Sequence, residues 1–299
     1  METNLKDLMM YYGVTIGRRF SRKEKDVFFD EMKKEYSRLG YSVKKDEKSG
    51  NIIIGDIDHS KMILAVPYDT PVKMHSDTKY YPFHLKKNVK EESKNIYFLA
   101  AGYIILFLCL FLIIKFVNIN FKAKVIFIAL VVCFSYLILK KRGNRVNFTR
   151  NSAGLVLTHY IAGLRENRDI AFLLLDQCAN SVVGMENARN MLSGYRNPVV
   201  FLNCIASGDS FSIAVREDAN EKTKETASLV YQTEMNQGKH YVTLGNDTES
   251  YLRYFKNMIQ LSSGYIQDKD FVVTGTATKR DVAWDEKLLK NLARTFLEI

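Results

Sequence analysis

The sequence predicts an α/β fold built on a largely parallel β-sheet, with a pair of apolar helices inserted into it as a membrane hairpin. Two observations predict this arrangement. Short apolar segments alternate with amphipathic segments along most of the 299 residues, a pattern typical of a parallel sheet covered by helices on both faces. The alternation is interrupted by one stretch, residues 96–140, that is apolar for long enough to cross a bilayer twice.

The first part of the chain is predicted to be a helical segment followed by strands. Residues 1–40 have helical spacing. Ser21 and Glu24 form a capping box, and Gly40 ends the segment. Apolar side chains recur at one face between those points, at Phe28, Met32, Tyr36 and Leu39. Strands are predicted next, at residues 41–45, 51–54 and 61–66.

The apolar stretch contains two predicted membrane spans. Residues 96–114 carry no charge and would form about 28 Å of helix, close to a hydrocarbon core of roughly 30 Å. The second run, residues 125–139, is shorter, but it extends to Phe121 if Lys122 and Lys124 reach the interface. We therefore predict helices at about 96–116 and 121–140. One or two helices buried in a soluble core are the alternative.

A hairpin returns the chain to the side it left, so residues 1–95 and 141–299 are predicted to be two parts of one domain. Basic residues flank the spans, which favours a cytoplasmic position for both parts and both termini: Lys94, Lys140, Lys141, Arg142 and Arg145. The first residues include no apolar signal region. The predicted location is thus a cell membrane crossed twice. The Lys-, Ile- and Asn-rich composition suggests a bacterial source.

Composition and charge limit the kinds of partner that the sequence predicts. The net charge is +10 and the sequence pI about 9.2, values that are also found in nucleic-acid-binding proteins. The basic residues cluster beside the predicted spans, however, and no basic, aromatic-interleaved motif is present. Membrane lipids are therefore predicted as partners, and nucleic acid is not. The four cysteines form no C-x-x-C or Cys/His cluster, so neither a zinc knuckle nor a disulfide framework is predicted.

After the hairpin, helices and strands are predicted to alternate. Helices are expected at residues 151–164, 181–192, 222–237, 249–256 and 284–297. Strands are expected at residues 169–175, 199–205, 211–215, 241–244 and 258–261.

Polar residues follow the apolar strands directly. Asp69 comes after the strand at 61–66, Asp176 and Cys178 after the strand at 169–175, and Asp209 after the strand at 199–205. In open α/β sheets ligands bind at the carboxyl ends of the strands. A crevice lined by these residues is therefore expected.

Four stretches of the sequence resemble the di-zinc aminopeptidase family, which also includes glutaminyl cyclases and the ectodomain of transferrin receptor. In chain order they are GNIIIGDIDHSKMILAVPYDTP, RNSAG, DIAFLLLDQCANSVVG and VVFLNCIASGD. The resemblance covers nearly all of residues 1–95 and 141–299. It implies a three-layer zinc-aminopeptidase-like fold with a mostly parallel central sheet.

The resemblance also implies that the metal ligands of the family have been lost. The ligand positions are occupied by residues that differ from the family pattern, namely Pro67, Arg150, Cys178, Ala179, Asn203 and Ala277. Zinc sites need several imidazole and carboxylate ligands, and a catalytic site also needs a base. No metal, cofactor or catalytic residue is therefore expected. The aspartates that remain are interpreted as caps and loop anchors of the former crevice: Asp69, Asp176, Asp209, Asp247 and Asp281.

Two of these residues carry alternatives. Cys178 is either a nucleophile or a small buried thiol, and the buried thiol is favoured because no histidine stands near it in the pattern. Arg150 either pairs with Asp69 or Asp176 in place of the metal, or simply ends a basic run beside the membrane. His159, on the apolar face of its helix, is predicted to be packed in the core.

The function predicted from the sequence is that of a membrane-anchored, inactive peptidase-like protein, a binding or scaffold subunit for a peptide or a membrane partner such as a transporter or peptide-processing complex. Because the hairpin is inserted between two crevice elements, the crevice is expected to face the bilayer or that partner. The alternative is an active hydrolase or aminoacyltransferase that uses Cys178 or Asp69. A lipid-headgroup sensor is a third class, and homo- or hetero-oligomers are compatible with all three.

Overall fold

The computed structural model describes residues 4–74, 78–116, 120–139, 142–164 and 169–299. Its helices are α1 (Leu5–Met10), α2 (Arg22–Arg38), α3 (Leu85–Phe116), α4 (Phe121–Leu139), α5 (Ala153–Leu164), α6 (Val183–Met191), α7 (Glu221–Gln232) and α8 (Glu286–Glu298). Its strands are β1 (Val43–Lys45), β2 (Ile52–Ile54), β3 (Met62–Pro67), β4 (Ile170–Leu175), β5 (Val199–Leu202), β6 (Ser210–Arg216), β7 (Gly238–Leu244), β8 (Met258–Gln267) and β9 (Asp270–Val272).

These strands form one mixed sheet in the order β1-β2-β4-β3-β5-β8-β6-β7, with β9 paired to β8. Its centre, β4-β3-β5-β8, is parallel, and so is the β6-β7 pair at one end. The β1-β2, β2-β4, β6-β8 and β8-β9 pairs are antiparallel. The expectation of a mostly parallel sheet is thus corrected to a mixed one. The links at residues 46–51, between β1 and β2, and 268–269, between β8 and β9, are too short for the crossover that a parallel neighbour needs.

The two faces of the sheet bury separate cores, which makes the body three-layered. On β3, Leu64 and Val66 belong to the core beneath α1, α2, α5, α7 and α8, whereas Ile63 and Ala65 belong to the core beneath α6. This division follows from the two-residue period of a strand. The sheet is built from strands on either side of α3 and α4 in the sequence: β1–β3 precede the two helices and β4–β9 follow them.

Several elements differ in extent from the predictions. The segment predicted as a helix at 249–256 is one 3₁₀ turn, Tyr251–Tyr254. Residues 262–267 (SSGYIQ) extend β8, although serine and glycine disfavour strands, because they pair with β6 and β9. The strand predicted at 199–205 ends at Leu202, and Cys204 has a φ of 63° that no strand accepts. The helix predicted to end at 237 ends at Gln232.

The stretch predicted to be a membrane hairpin consists of the helices α3 and α4. Helix α3 begins at Leu85, well before the predicted start at 96, and the Tyr103 hydroxyl donates to the backbone carbonyl of Ser135 on α4 across 2.9 Å. Over the described residues, no helix combines the length and the apolar character that crossing a membrane requires. Lys140 and Lys141, predicted to flank the hairpin, lie outside the described residues.

His159 lies in the core, and its burial predicts a specific pH dependence. Burial lowers the pKa of His159 to about 4, and Nδ1 is 2.7 Å from the Tyr12 hydroxyl. The unfolded chain, with a histidine pKa of about 6.5, binds the proton more readily between pH 6.5 and 4. The contribution of His159 to stability is therefore complete above pH 6.5 and falls by about 2 kcal/mol at pH 5.

The measurement is the free energy of unfolding at pH 7 and pH 5 for the intact chain and for His159→Phe, with both chains in one mild detergent. The variant should lose about 2 kcal/mol less than the parent over this interval. Comparing the two chains removes the opposite effect of Asp69 and Asp281, whose pKa values burial raises to about 6. Equal losses in both chains would contradict the prediction.

Candidate functional site

The carboxyl ends of β3, β4 and β5 lie side by side at one edge of the sheet, because these strands are neighbours and parallel. Most of the residues predicted to line the crevice follow these strand ends and are buried there: Pro67, Asp69, Asp176, Cys178, Ala179 and Asn203. Arg150 and Ala277 approach the same edge from other parts of the chain and line a common cavity. We refer to this group of residues as the crevice cluster.

Asp69 holds the loop that follows β4. It is 4% exposed, and its carboxylate accepts the backbone N–H groups of Cys178 at 2.9 Å and Ala179 at 3.0 Å. Burial, reinforced by the nearby charge of Asp176, raises the pKa of Asp69 to about 6. Both carboxylate oxygens point at this loop, since Ala179 also lies 3.2 Å from the second one. Asp69 is therefore a loop anchor with a raised pKa.

Asp176 pairs with a lysine that no sequence pattern distinguishes from the other lysines of its helix. Its Oδ1 lies 2.5 Å from Nζ of Lys25 on α2, with both side chains largely buried. The backbone N–H of Asp176 donates to Asn51 Oδ1 at 2.8 Å, and Asn51 in turn donates to the carbonyl of Gly184 at 3.0 Å. The pairing connects α2, β2, β4 and α6 at this edge.

Cys178 is a buried thiol. It is 2% exposed, and burial, with Asp69 as a further cause, raises the pKa of its thiol well above the ordinary value. The Tyr251 hydroxyl donates to its carbonyl at 3.2 Å. Nucleophilic cysteines are partly exposed thiolates, whereas Cys178 is a buried, protonated thiol. The geometry matches the buried-thiol interpretation.

Arg150 does not pair with either aspartate. It lies on a π-helical turn, Phe148–Ser152, and is 7% exposed. Its Nη2 donates to the carbonyl of Ala179 at 3.0 Å and its Nη1 lies 3.8 Å from Cys204 Sγ. The guanidinium carbon is 3.2 Å from the centre of the Tyr80 ring, a close cation–π stack. The hypothesis that Arg150 pairs with Asp69 or Asp176 is therefore wrong, because Lys25 and backbone N–H groups already occupy those carboxylates.

Tyr80 closes the crevice from the outside. It comes from the polar segment before α3, pairs with Val273 through an isolated bridge, and donates its hydroxyl to Asn203 Oδ1 at 3.1 Å. The cavity that remains between Arg150, Tyr80 and Ala277 has a volume of about 30 Å³, room for roughly one water molecule. No periodicity in residues 72–95 indicates this role, so sequence reasoning missed Tyr80.

The first turns of α3 form one wall of this small cavity. Asn88, Glu91 and Glu92 line it opposite Arg150 and Thr276. The Tyr81 backbone N–H donates to Asn88 Oδ1 at 2.7 Å, which fixes the start of the helix to the segment that carries Tyr80. The helix pair therefore leaves the body at the mouth of the crevice.

Two predicted crevice residues are not brought into the cluster. Asp209 lies at the same edge, at the start of β6, but its side chain is exposed. Among the described residues, its carboxylate accepts one hydrogen bond, from the hydroxyl of its neighbour Ser210. Asp247 follows β7, which runs antiparallel to β8, so it lies at the opposite edge of the sheet. The remaining aspartate, Asp281, is buried and accepts the backbone N–H of Thr149 at 2.5 Å.

Arg19 is the largest contributor to this edge that sequence reasoning missed. It is fully buried, and burial lowers its pKa to about 10, so it is charged at neutral pH. The guanidinium connects three parts of the chain: it donates to the carbonyls of Tyr68, Tyr12 and Ile16 and to the side chains of Asn151 and Ser152. Its partners are mostly backbone atoms, which no sequence pattern identifies.

A second cavity of about 170 Å³ lies on the other side of Asp69. It is lined by polar groups that include Lys25, Thr70, Gln177 and Asn180. Several of these are already bonded to one another, since Asn180 donates to the carbonyl of Thr70 at 3.2 Å and Lys25 pairs with Asp176. This cavity is the larger space available to a small ligand at this edge.

Comparison with known proteins identifies the fold. No family model matches the chain, and no curated protein matches it. Solved structures do. A zinc-dependent exopeptidase of Parabacteroides distasonis ATCC 8503 superposes with a TM-score of 0.56 at 12% identity, covering 100% of this chain and 98% of that one. The glutaminyl cyclases of Tannerella forsythia (TM-score 0.57, 11% identity) and Porphyromonas gingivalis (0.56, 13%) each cover 98% of this chain and 94% of their own.

The fold expected from the sequence resemblance, an aminopeptidase-like α/β fold, is thereby confirmed. At these identities the likeness concerns the fold alone. It raises the question of whether the residues at the crevice edge suit zinc.

The crevice cluster does not suit zinc. Proline and alanine side chains offer no donor, Arg150 would bring a positive charge against the ion, and the thiol of Cys178 stays protonated. Within the described ranges, no three His, Cys, Asp or Glu side chains come together in a way that could hold a metal ion. The carboxylate of Asp69, just after the end of β3, is committed to backbone N–H groups.

Proposed function

We propose that this chain, which has the fold of zinc-dependent exopeptidases and glutaminyl cyclases, is a membrane-anchored binding subunit without zinc-dependent hydrolysis. Its partner would be a peptide or another membrane protein, such as a transporter or a peptide-processing enzyme. Fold alone does not determine function, so the proposal depends on the chemistry of the crevice.

The stack of Arg150 on Tyr80 is the observation that carries the proposal. A hydrolase of this fold needs an open crevice in which metal, water and substrate meet, whereas here a guanidinium and a phenol stack over the strand ends and leave about 30 Å³ beside Ala277. The retained aspartates hold loops and a lysine. This arrangement preserves the surface of the body while removing the reaction site.

The membrane anchor is supported by the amino-acid sequence and by exposed apolar surface. Residues 96–114 contain no charged side chain, and basic residues flank the helix pair. Large apolar side chains are exposed on both helices, at Ile104, Ile105, Phe107, Leu108, Phe111 and Leu112 on α3 and at Val125, Ile126, Ile128, Leu130 and Val132 on α4. An apolar surface of this extent indicates a membrane or a protein partner. Because α3 starts at the crevice mouth, the crevice would face that partner.

The alternative function is an active hydrolase or aminoacyltransferase with unusual catalytic residues. Cys178 and Asp69 are its candidates. Both are buried, and the thiol pKa is raised rather than lowered. The alternative therefore requires a rearrangement that exposes the loop after β4, and it has less support than the binding function.

Zinc analysis and activity assays on one sample test the proposal. The intact chain, purified in a mild detergent, should contain far less than one zinc per chain and should show no aminopeptidase or glutaminyl cyclase activity above background. The exopeptidase of Parabacteroides distasonis, prepared in parallel, serves as the zinc-containing control. Stoichiometric zinc together with peptide cleavage would overturn the proposal, and activity lost in Cys178→Ser would favour the alternative.

Site-specific photo-crosslinking tests the binding role separately. A photo-reactive residue at Thr78, on the rim of the crevice, should capture a defined membrane protein or peptide in native membranes. The same residue at Lys44, exposed on the edge strand β1, is the matched control and should not. Identical products from both positions would argue against a partner at the crevice.

A further inference from the structure

Three loops meet around the place where α3 and α4 join the body. Residues 72–74 run beside residues 142–144, with an isolated bridge between Val72 and Gly143 and a 2.8 Å bond from the Lys73 N–H to the Arg142 carbonyl. The Met74 N–H donates to the Ala277 carbonyl at 2.8 Å, which adds the loop at residues 276–280. Nδ2 of Asn144 donates to the Thr278 carbonyl at 2.8 Å. The loops thus form one continuous surface.

This surface carries a group of exposed cations that are distant in sequence. We call them the loop cations: Lys73, Lys79, Arg142, Arg145 and Lys279. Each is exposed. The salt bridges between described residues include none of them.

Nearby lysines on α3 behave differently. Lys86 pairs with Glu249 at 2.5 Å, Lys87 with Asp270 at 2.6 Å and Lys94 with Glu91 at 2.5 Å. These charges are neutralised within the protein. The loop cations, together with Lys90 on α3, are exposed and take part in none of the salt bridges between described residues, so they remain available to an external anion.

We propose that the loop cations bind the headgroups of anionic phospholipids and hold the crevice mouth against the membrane surface. The inference rests on the proposed membrane anchor and extends it to the lipid class. Each Lys or Arg near an anionic surface contributes about 1 kcal/mol, and the attraction falls off within a Debye length of about 8 Å at physiological salt. A group of cations on one face is suited to such a surface, and it lies beside the apolar helix pair.

Hydrogen exchange of the intact chain in lipid nanodiscs tests this proposal. Discs of phosphatidylcholine alone are compared with discs that also contain phosphatidylglycerol. Backbone amides of residues 72–74 and 276–280 should exchange at least ~10-fold more slowly in the anionic discs, since even two engaged cations would supply this factor. High salt should remove the difference.

Two triple variants with the same change in net charge provide the control. Lys73→Glu, Lys79→Glu and Lys279→Glu together should abolish the lipid-dependent protection. Lys33→Glu, Lys34→Glu and Lys44→Glu, on exposed positions of α2 and β1, should leave it intact. Equal loss in both variants would show a net-charge effect and overturn the proposal.

The outcomes separate the inference from the proposed function. If the chain enters both kinds of disc and the loops show no dependence on anionic lipid, the lipid inference is wrong and the anchor stands. If the chain enters neither, the anchor itself is wrong. Protection that appears in neutral discs on addition of duplex DNA, but not with anionic lipid, would assign the loop cations to nucleic acid instead.

Discussion

Replacing Arg19 by methionine is expected to lower the free energy of unfolding by about 3 to 5 kcal/mol. Methionine fills much of the same volume but donates no hydrogen bond. The carbonyls of Tyr12, Ile16 and Tyr68 would lose their guanidinium partner in a fully buried position, where an unsatisfied polar group is costly. Removing the buried charge offsets part of this cost, because burial penalises the charged form and lowers the pKa of Arg19 to about 10.

The neighbouring residue supplies the control. Arg18 is exposed and pairs with Glu24 at the surface, so Arg18→Met should change stability by less than about 1 kcal/mol. Chemical unfolding in detergent, followed by the fluorescence of Trp284, the single tryptophan, measures both variants. Because Arg19 connects the N-terminal segment to the end of β3, the transition of Arg19→Met should also broaden. An unchanged midpoint for Arg19→Met would contradict the network that the structure gives it.

Replacing Gly184 by alanine is the second change with a large expected effect. A Cβ atom there would lie 1.7 Å from the backbone oxygen of Asp176 and 3.0 Å from the sulfur of Cys178. A backbone atom cannot move aside as the end of a flexible side chain can, so α6 or the loop after β4 must shift. We expect a loss of at least about 3 kcal/mol, at the upper end of the range for overpacked sites.

Gly194, in the turn after α6, is the matched control. A Cβ atom there meets no heavy atom within 4 Å, and Gly194→Ala should change stability by less than about 1 kcal/mol. The difference between the two melting temperatures is the measured quantity. Similar melting temperatures would mean that the close approach of α6 to Asp176 is absent in the folded protein.

Gly184 is an example of a feature that the sequence resemblance predicts and the structure explains. The stretch DIAFLLLDQCANSVVG resembles the family's strand that is followed by a glycine, and the structure gives that glycine a packing reason, because the start of α6 lies against the end of β4. The resemblance also placed Asp69, Cys178, Ala179 and Asn203 at one edge of the sheet. These residues follow apolar strands directly, so their position depends on local order along the chain.

Residues that lack such a local context were not predictable. Tyr80 lies in a polar segment without periodicity, and it reaches Arg150 only because the segment folds back over the strand ends to pair with Val273. The sequence does not distinguish Lys25 from the other lysines of its amphipathic helix, and only the structure shows that it lies 2.5 Å from Asp176. The hypothesis for Arg150 was wrong for the same reason, since it assumed that the nearby carboxylates were free.

The sequence by itself determined the α/β class, most of the helices and strands and the position of two apolar helices between them, and its resemblance to the di-zinc aminopeptidases predicts the loss of the metal ligands. Each of these depends on residue types and short-range spacing. The tertiary structure alone decided that the sheet is mixed, that Arg150 stacks on Tyr80 and closes the crevice, and that cations from three separate loops share one surface. Those features depend on contacts between residues far apart in the chain, which periodicity does not record.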